Sequence, residues 1–205
     1  MAIKHAIIAC HPEEDSFVMS MARRYAETVE NRRQQVVLRD LYRMGFDPVL
    51  RASERHGQVG EDVSAELAEL GNPDVFVLVY PIWFGAPPAM LTGYVDRVFG
   101  AGRAVGADES GHGDGVLAGK RLVTLTSSGS MRPWLEERGV LTSVQNLFDR
   151  YLKEVFGLAG TDRFHFDGIR PDTPEREIRA YLTQVEHAAR EVMSHFVFDR
   201  ARTSD

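Results

Sequence analysis

Three short stretches hold the residues whose types and spacing could do chemistry: Cys10 to Phe17, CHPEEDSF; Pro81 to Leu91, PIWFGAPPAML; and Thr126 to Met131, TSSGSM. The first follows the apolar run Ala6–Ala9 and opens an amphipathic segment, as a loop between a strand and a helix does. The first amides of a helix have no partner inside it and, with the helix dipole, favour an anion such as a phosphate. His11 and Ser16 stand at that turn. So do three acids, Glu13, Glu14 and Asp15. Acids placed before a helix start can face solvent and still favour the dipole, leaving the amides near Ser16, Phe17 and Val18 free for a ligand. The second stretch sets the aromatics Trp83 and Phe84 beside Gly85, where the backbone can be approached closely. It reads either as a strand end with two core aromatics or as a rigid wall for a flat ring. Thr126, Ser127, Ser128 and Gly129 read either as an ordinary turn or as a small polar loop along the edge of such a ring.

The elements that would position these stretches follow from the hydrophobic pattern, in which short apolar runs alternate with longer amphipathic segments. Ile3 to Cys10 predicts a first strand. From Ser16 to about Arg32, Phe17, Met21, Tyr25 and Val29 recur every four residues and line one helical face. Val36–Leu38 is a short second strand, followed by a long connection from Leu41 to Asp62 and a short helix over Glu61–Leu70. DVFVLVYP is a central strand stopped by Pro81. A helix from near Pro88 to Phe99, a fourth strand in KRLVTLTSSG, a helix over Leu135–Phe156 and a fifth strand in RFHFDGI complete the alternation. A final helix is expected to be capped by Thr173 with Pro174 in its first position. In an open parallel sheet the carboxyl ends of the strands share one edge, so the three chemical stretches converge there.

Bulk composition narrows the field. The 205 residues suit one domain over 1–200 with a tail at 201–205. A net charge of −6 argues against a general binder of nucleic acid or anionic membrane. The single cysteine, Cys10, forms no internal disulfide and reads as a small buried apolar residue, and no run reaches the length of a membrane span. A cytoplasmic location is expected. GADESGHGDG lacks the Lys-Ser/Thr ending of a phosphate loop and reads as a flexible connection; His112 within it has no spaced partners, and no metal site is expected.

Taken together, CHPEEDSF, DLYRMGFDPVL, YPIWFGAPPAMLTGYVDRVF and TSSGSM resemble the flavodoxin-like NAD(P)H dehydrogenases, the quinone reductase family. The likeness covers most of the chain. Its most specific part is the third motif, with Pro81, Trp83, Phe84, Gly85, Pro88, Ala89, Leu91, Gly93 and Asp96–Val98 in order. The resemblance implies an α/β fold with a doubly wound five-stranded parallel sheet of order 2-1-3-4-5 and helices on both faces. It also implies a homodimer, a bound flavin, and two-electron reduction of quinones or similar flat acceptors by NAD(P)H. FMN is expected ahead of FAD, which would need an adenosine groove that the sequence does not show.

The implied flavin-binding residues are His11, Ser16, Phe17 and Val18 for the phosphate; Pro81, Ile82, Trp83, Phe84 and Gly85 for the ring; and Thr126, Ser127, Ser128 and Gly129 for its pyrimidine edge. At Val18 the family often has Asn, so only the backbone carries over. Relatives place a Tyr and a His after the fourth strand. SGSMRPWLEERG offers Arg132 and Trp134 instead, and no catalytic residue is assigned. Relatives use the region of Leu41–Asp62 at a subunit interface. The competing reading is a non-catalytic flavodoxin-like electron carrier or a regulatory subunit of a transport system.

Overall fold

A computed structural model of the chain describes residues 2–101 and 115–202. Five parallel strands, β1 (Lys4–Ala9), β2 (Gln35–Asp40), β3 (Val75–Pro81), β4 (Arg121–Ser127) and β5 (Gly160–Phe166), form one sheet in the order β2-β1-β3-β4-β5. This is the expected order. Every residue of β3, the central strand, is buried, which explains its unbroken apolar sequence.

Alternate residues of the sheet face two separate cores. Ile7, Val77, Val79, Val123 and Leu125 pack under α1 (Phe17–Glu30) and α8 (Glu175–Arg202). Ile8, Phe76, Leu78, Tyr80 and Leu122 pack on the other face, under α3 (Glu61–Leu70), α4 (Ala89–Tyr94) and the helical stretch ending in α7 (Tyr151–Phe156). The predicted face of α1 is buried at Met21, Tyr25 and Val29. Cys10 is buried, and burial pushes its thiol up to about 12. No helix among the described residues is long and apolar enough to cross a membrane, and none of their acidic, histidine or cysteine groups clusters to hold a metal ion. The glycine-rich stretch lies outside the described residues except for its last glycine, Gly115.

Several elements depart from the sequence expectation. The connection after β2 contains a short helix, α2 (Ala52–Arg55). The helix after α4 continues as a π-wound segment, Val95–Phe99. The helix expected over Leu135–Phe156 is broken into α5 (Arg132–Glu137), α6 (Val140–Val144), a π-wound segment Gln145–Arg150, and α7. Gly139, left-handed at φ 67°, makes the break. Thr173 does not cap α8: its hydroxyl accepts from the Arg170 amide at 2.8 Å and donates to the Gly168 carbonyl at 3.3 Å, closing the turn after β5 instead. Pro174 precedes the first helical residue rather than occupying it.

Two buried groups, His5 and Asp149, and the half-buried His165 contribute to the acid response. Burial holds His5 down to about 4 and, aided by Arg132 and Arg163, holds His165 down to about 4. Burial raises Asp149 to about 6, against the pull of Arg163. Between pH 6 and 4 the unfolded chain therefore binds two more protons at the histidines and one fewer at Asp149. The net excess of about one proton makes stability fall by roughly 1.4 kcal/mol per pH unit on acidification through that window. Urea titrations at pH 6 and pH 4.5 should show the drop; equal midpoints would mean that the unfolded chain takes up no net excess of protons, so that one of the histidines titrates normally in the fold.

Candidate functional site

The carboxyl ends of β1, β3, β4 and β5 surround one cleft of about 470 Å³. Its floor and one end come from the turn after β1. Ser16 is the N-cap of α1, its Oγ accepting from the Met19 amide at 3.3 Å. The next two amides, of Phe17 and Val18, have no acceptor inside the helix. His11 folds back so that its Nδ1 accepts from the Glu13 amide at 3.0 Å. In neutral histidine this puts the proton on Nε2 and leaves that N–H as a donor.

The acids are disposed as helix-start acids should be. Glu13, Glu14 and Asp15 are all exposed. Glu14 turns away to Arg43 at 3.2 Å and Arg23 at 3.5 Å, whereas Glu13 and Asp15 remain on the cleft lip. On the facing lip stands Arg170, whose Nε donates to the Gly129 carbonyl at 3.3 Å.

The wall is Pro81, Ile82 and Trp83, with the Trp83 ring set against His11 at a centroid distance of 5.6 Å. Trp83 and Ala86 exchange both backbone hydrogen bonds at 3.0 Å, closing a two-residue hairpin. Its tip residues have positive φ, 52° at Phe84 and 80° at Gly85, as a type I′ turn requires. Two consequences follow. The Trp83 amide is committed to Ala86, so only the Phe84 and Gly85 amides of this hairpin stay free to donate. Phe84 itself is fully exposed at the tip and lies outside the cleft, as does Gly85.

An exposed aromatic in left-handed backbone is a local strain of about 1 kcal/mol, and Phe84 is fully exposed among the described residues, with no packing there to offset it. Phe84→Asn relieves it and is expected to raise the melting temperature by roughly 2–4 °C. Calorimetry showing a lower melting temperature would mean that Phe84 packs in the free protein.

The third expected stretch splits. Ser127, Ser128 and Gly129 line the cleft. Thr126 is fully buried behind them, its hydroxyl 2.9 Å from His165 Nδ1. Arg132 points away from the cleft: its guanidinium donates to the His165 carbonyl at 3.1 Å and lies 3.7 Å from Glu136.

Sequence reasoning missed the fourth side. Ile169, Arg170, Pro171 and Thr173 after β5, Ile178 of α8 and Ser20 of α1 also line the cleft. The available signal was topological, since a fifth parallel strand ends at the same edge as the others. It needed only the register Ser127↔Phe166 to bring DGIRPDT beside TSSG.

A parallel sheet of order 2-1-3-4-5 with a helix start and its free amides at the switch point is the arrangement of the flavodoxin-like class. Residues 3–189 match the family described as "Flavodoxin-like fold", and the chain belongs to that family. It is 31% identical over 170 residues to an uncharacterized NAD(P)H oxidoreductase of Haemophilus influenzae, covering 80% of this chain and 82% of that one. Against an FMN-dependent NADH:quinone oxidoreductase of Ralstonia nicotianae the identity is 28% over 145 residues, or 71% of this chain and 64% of that one. Among solved structures, an NAD(P)H:quinone oxidoreductase from Methanothermobacter marburgensis superposes with a TM-score of 0.75 at 25% identity, covering 94% of this chain and 96% of that one.

Proposed function

We propose that the chain is a flavin-dependent NAD(P)H oxidoreductase that reduces quinones or similar flat acceptors. The observation that carries the reading is one cleft with free helix-start amides at one end and an aromatic wall at the other, in a chain similar to oxidoreductases of that description. This donor set fits FMN. His11, Ser16 and the amides of Phe17 and Val18 hold its phosphate; Pro81, Ile82 and Trp83 flank its ring, with Phe84 and Gly85 at the open rim; Ser127, Ser128 and Gly129 follow its polar edge, backed by Thr126. Bound FMN supplies hydride acceptance and donation at its ring nitrogen.

The chain's own residues supply orientation and polar donors rather than acid–base groups. Trp83 and the TSSG loop close off one side, so nicotinamide and acceptor use the same open face in turn. The exposed Trp83, Phe84, Trp134, Leu147 and Tyr151 leave apolar surface that a second copy covers in a C₂ homodimer. Sedimentation showing only monomer at micromolar concentration would refute that pairing. The buried, unpaired Cys10 suits the reducing cytoplasm, where we place the protein.

The test is an absorbance spectrum of the purified protein loaded with FMN, followed by NADPH or NADH under argon and then by quinone. Bleaching by the nucleotide, reoxidation by quinone alone and parallel double-reciprocal plots are expected. Intersecting lines would refute the shared face. A flavin that stays oxidised with both nucleotides would replace the enzyme by an electron carrier or regulatory module.

A further inference from the structure

His165, on β5, lies outside the cleft lining yet hydrogen-bonds the loop that forms it. Its Nδ1 is 2.9 Å from Thr126 Oγ1 and its Nε2 is 3.2 Å from Ser128 Oγ. The Ser128 hydroxyl is in turn 2.8 Å from the Ser130 carbonyl. Two proton arrangements connect these atoms. With the proton on Nε2, Thr126 donates to Nδ1, Nε2 donates to Ser128, and Ser128 donates to Ser130. With the proton on Nδ1, Ser128 must abandon its 2.8 Å bond to reach Nε2, and Thr126 falls back on the Phe164 carbonyl at 3.3 Å. The first arrangement keeps the shorter bonds and gives each hydroxyl one donor role.

We propose that neutral His165, protonated on Nε2, is a positioning residue that fixes Ser128 and through it the polar wall of the flavin cleft. The inference rests on the proposed reading of the cleft as a flavin site. It supplies from behind β4 an imidazole that the loop after β4 does not contain. It also sets the polarity of the wall. Ser128 directs its proton to Ser130 and accepts from His165, so it offers the cleft its remaining lone pair, an acceptor suited to an N–H on a ligand edge. The Ile169 amide, donating to the Ser128 carbonyl at 2.9 Å, ties the same residue to the segment after β5. Burial keeps the ring neutral at ordinary pH, reinforced by Arg132 and Arg163 and opposed by Asp167.

The test combines FMN titrations with nitrogen NMR of the imidazole. His165→Leu should raise the FMN dissociation constant about tenfold, the effect of one lost hydrogen bond. His165→Gln, whose amide N–H replaces Nε2–H, should restore most of the affinity. In a Ser128→Ala background, His165→Leu should add little, because its route to the ligand has gone. NMR of the wild type between pH 6 and 8 should show the proton on Nε2. Additive losses in the double variant, a folded Gln variant as weak as Leu, or a proton on Nδ1 would each overturn the proposal. Wild-type protein that binds no FMN would refute the cleft reading itself; unchanged affinity in His165→Leu would refute only the positioning role.

Discussion

Changing His11 and Ser16 together to Ala should lower FMN affinity by about two orders of magnitude or more, at roughly 1.5–3 kcal/mol for each hydrogen bond to a charged group. Both side chains stand at the start of α1 beside the free amides of Phe17 and Val18. Ser16 Oγ uses a lone pair to cap Met19, so its O–H remains available to a phosphate. His11 uses Nδ1 on the Glu13 amide and presents Nε2–H. Loss of the cap also costs helix stability, about 1 kcal/mol, too little to unfold the domain. The acids Glu13 and Asp15 on the lip oppose an anion and make these two donors matter more. Fluorescence titration of the folded double variant measures the effect, and unchanged affinity would remove the phosphate from this helix start.

The second large effect concerns stability. Arg97→Ala is expected to cost about 3–5 kcal/mol, because it leaves a buried carboxylate unpaired. The Arg97 side chain is wholly buried. Its Nε and Nη2 donate to Glu54 at 3.0 and 2.7 Å, and its Nη1 donates to Asp62 at 2.8 Å and to the Asp47 carbonyl at 2.6 Å. One guanidinium thus ties the whole connection after β2 to the π-wound segment that follows α4. Gly93, one helical turn earlier, lets the Pro48 backbone rest directly on the helix, where any Cβ would collide with it.

Arg97 holds the carboxyls of Glu54 and Asp62 below the ordinary carboxylate range. Their contribution is therefore complete above that range and is lost as pH falls through it. Arg43→Ala, which breaks an exposed pair with Glu14, should change stability by less than about 1 kcal/mol. Urea titration of both variants gives the comparison. An Arg97 variant as stable as the Arg43 variant would show that the connection is held by packing alone.

What the sequence determined by itself is the part governed by local periodicity. The apolar runs of β1, β3 and β4, the four-residue spacing on α1 and the helix Glu61–Leu70 depend on neighbours within one or two turns, and each formed where its pattern lay. The convergence of His11, Ser16, Trp83 and Ser128 was legible for a related reason: parallel strands deliver their carboxyl ends to one edge whatever else the chain does. The tertiary structure decided whatever depends on pairing between distant residues. Arg97 meets Glu54 across 43 positions and His165 meets Ser128 across 37, and only strand register and helix placement bring either pair together. The same holds for the loop after β5, whose residues carry no ligand motif and join the cleft because Phe166 lies level with Ser127. Winding was decided there too. The π-wound segments carry Arg97 and Asp149 inward at a spacing that a 3.6-residue pattern does not describe. The hairpin that holds Phe84 at positive φ closes because Trp83 and Ala86 bond to each other, a pairing that the apolar look of IWFGA conceals.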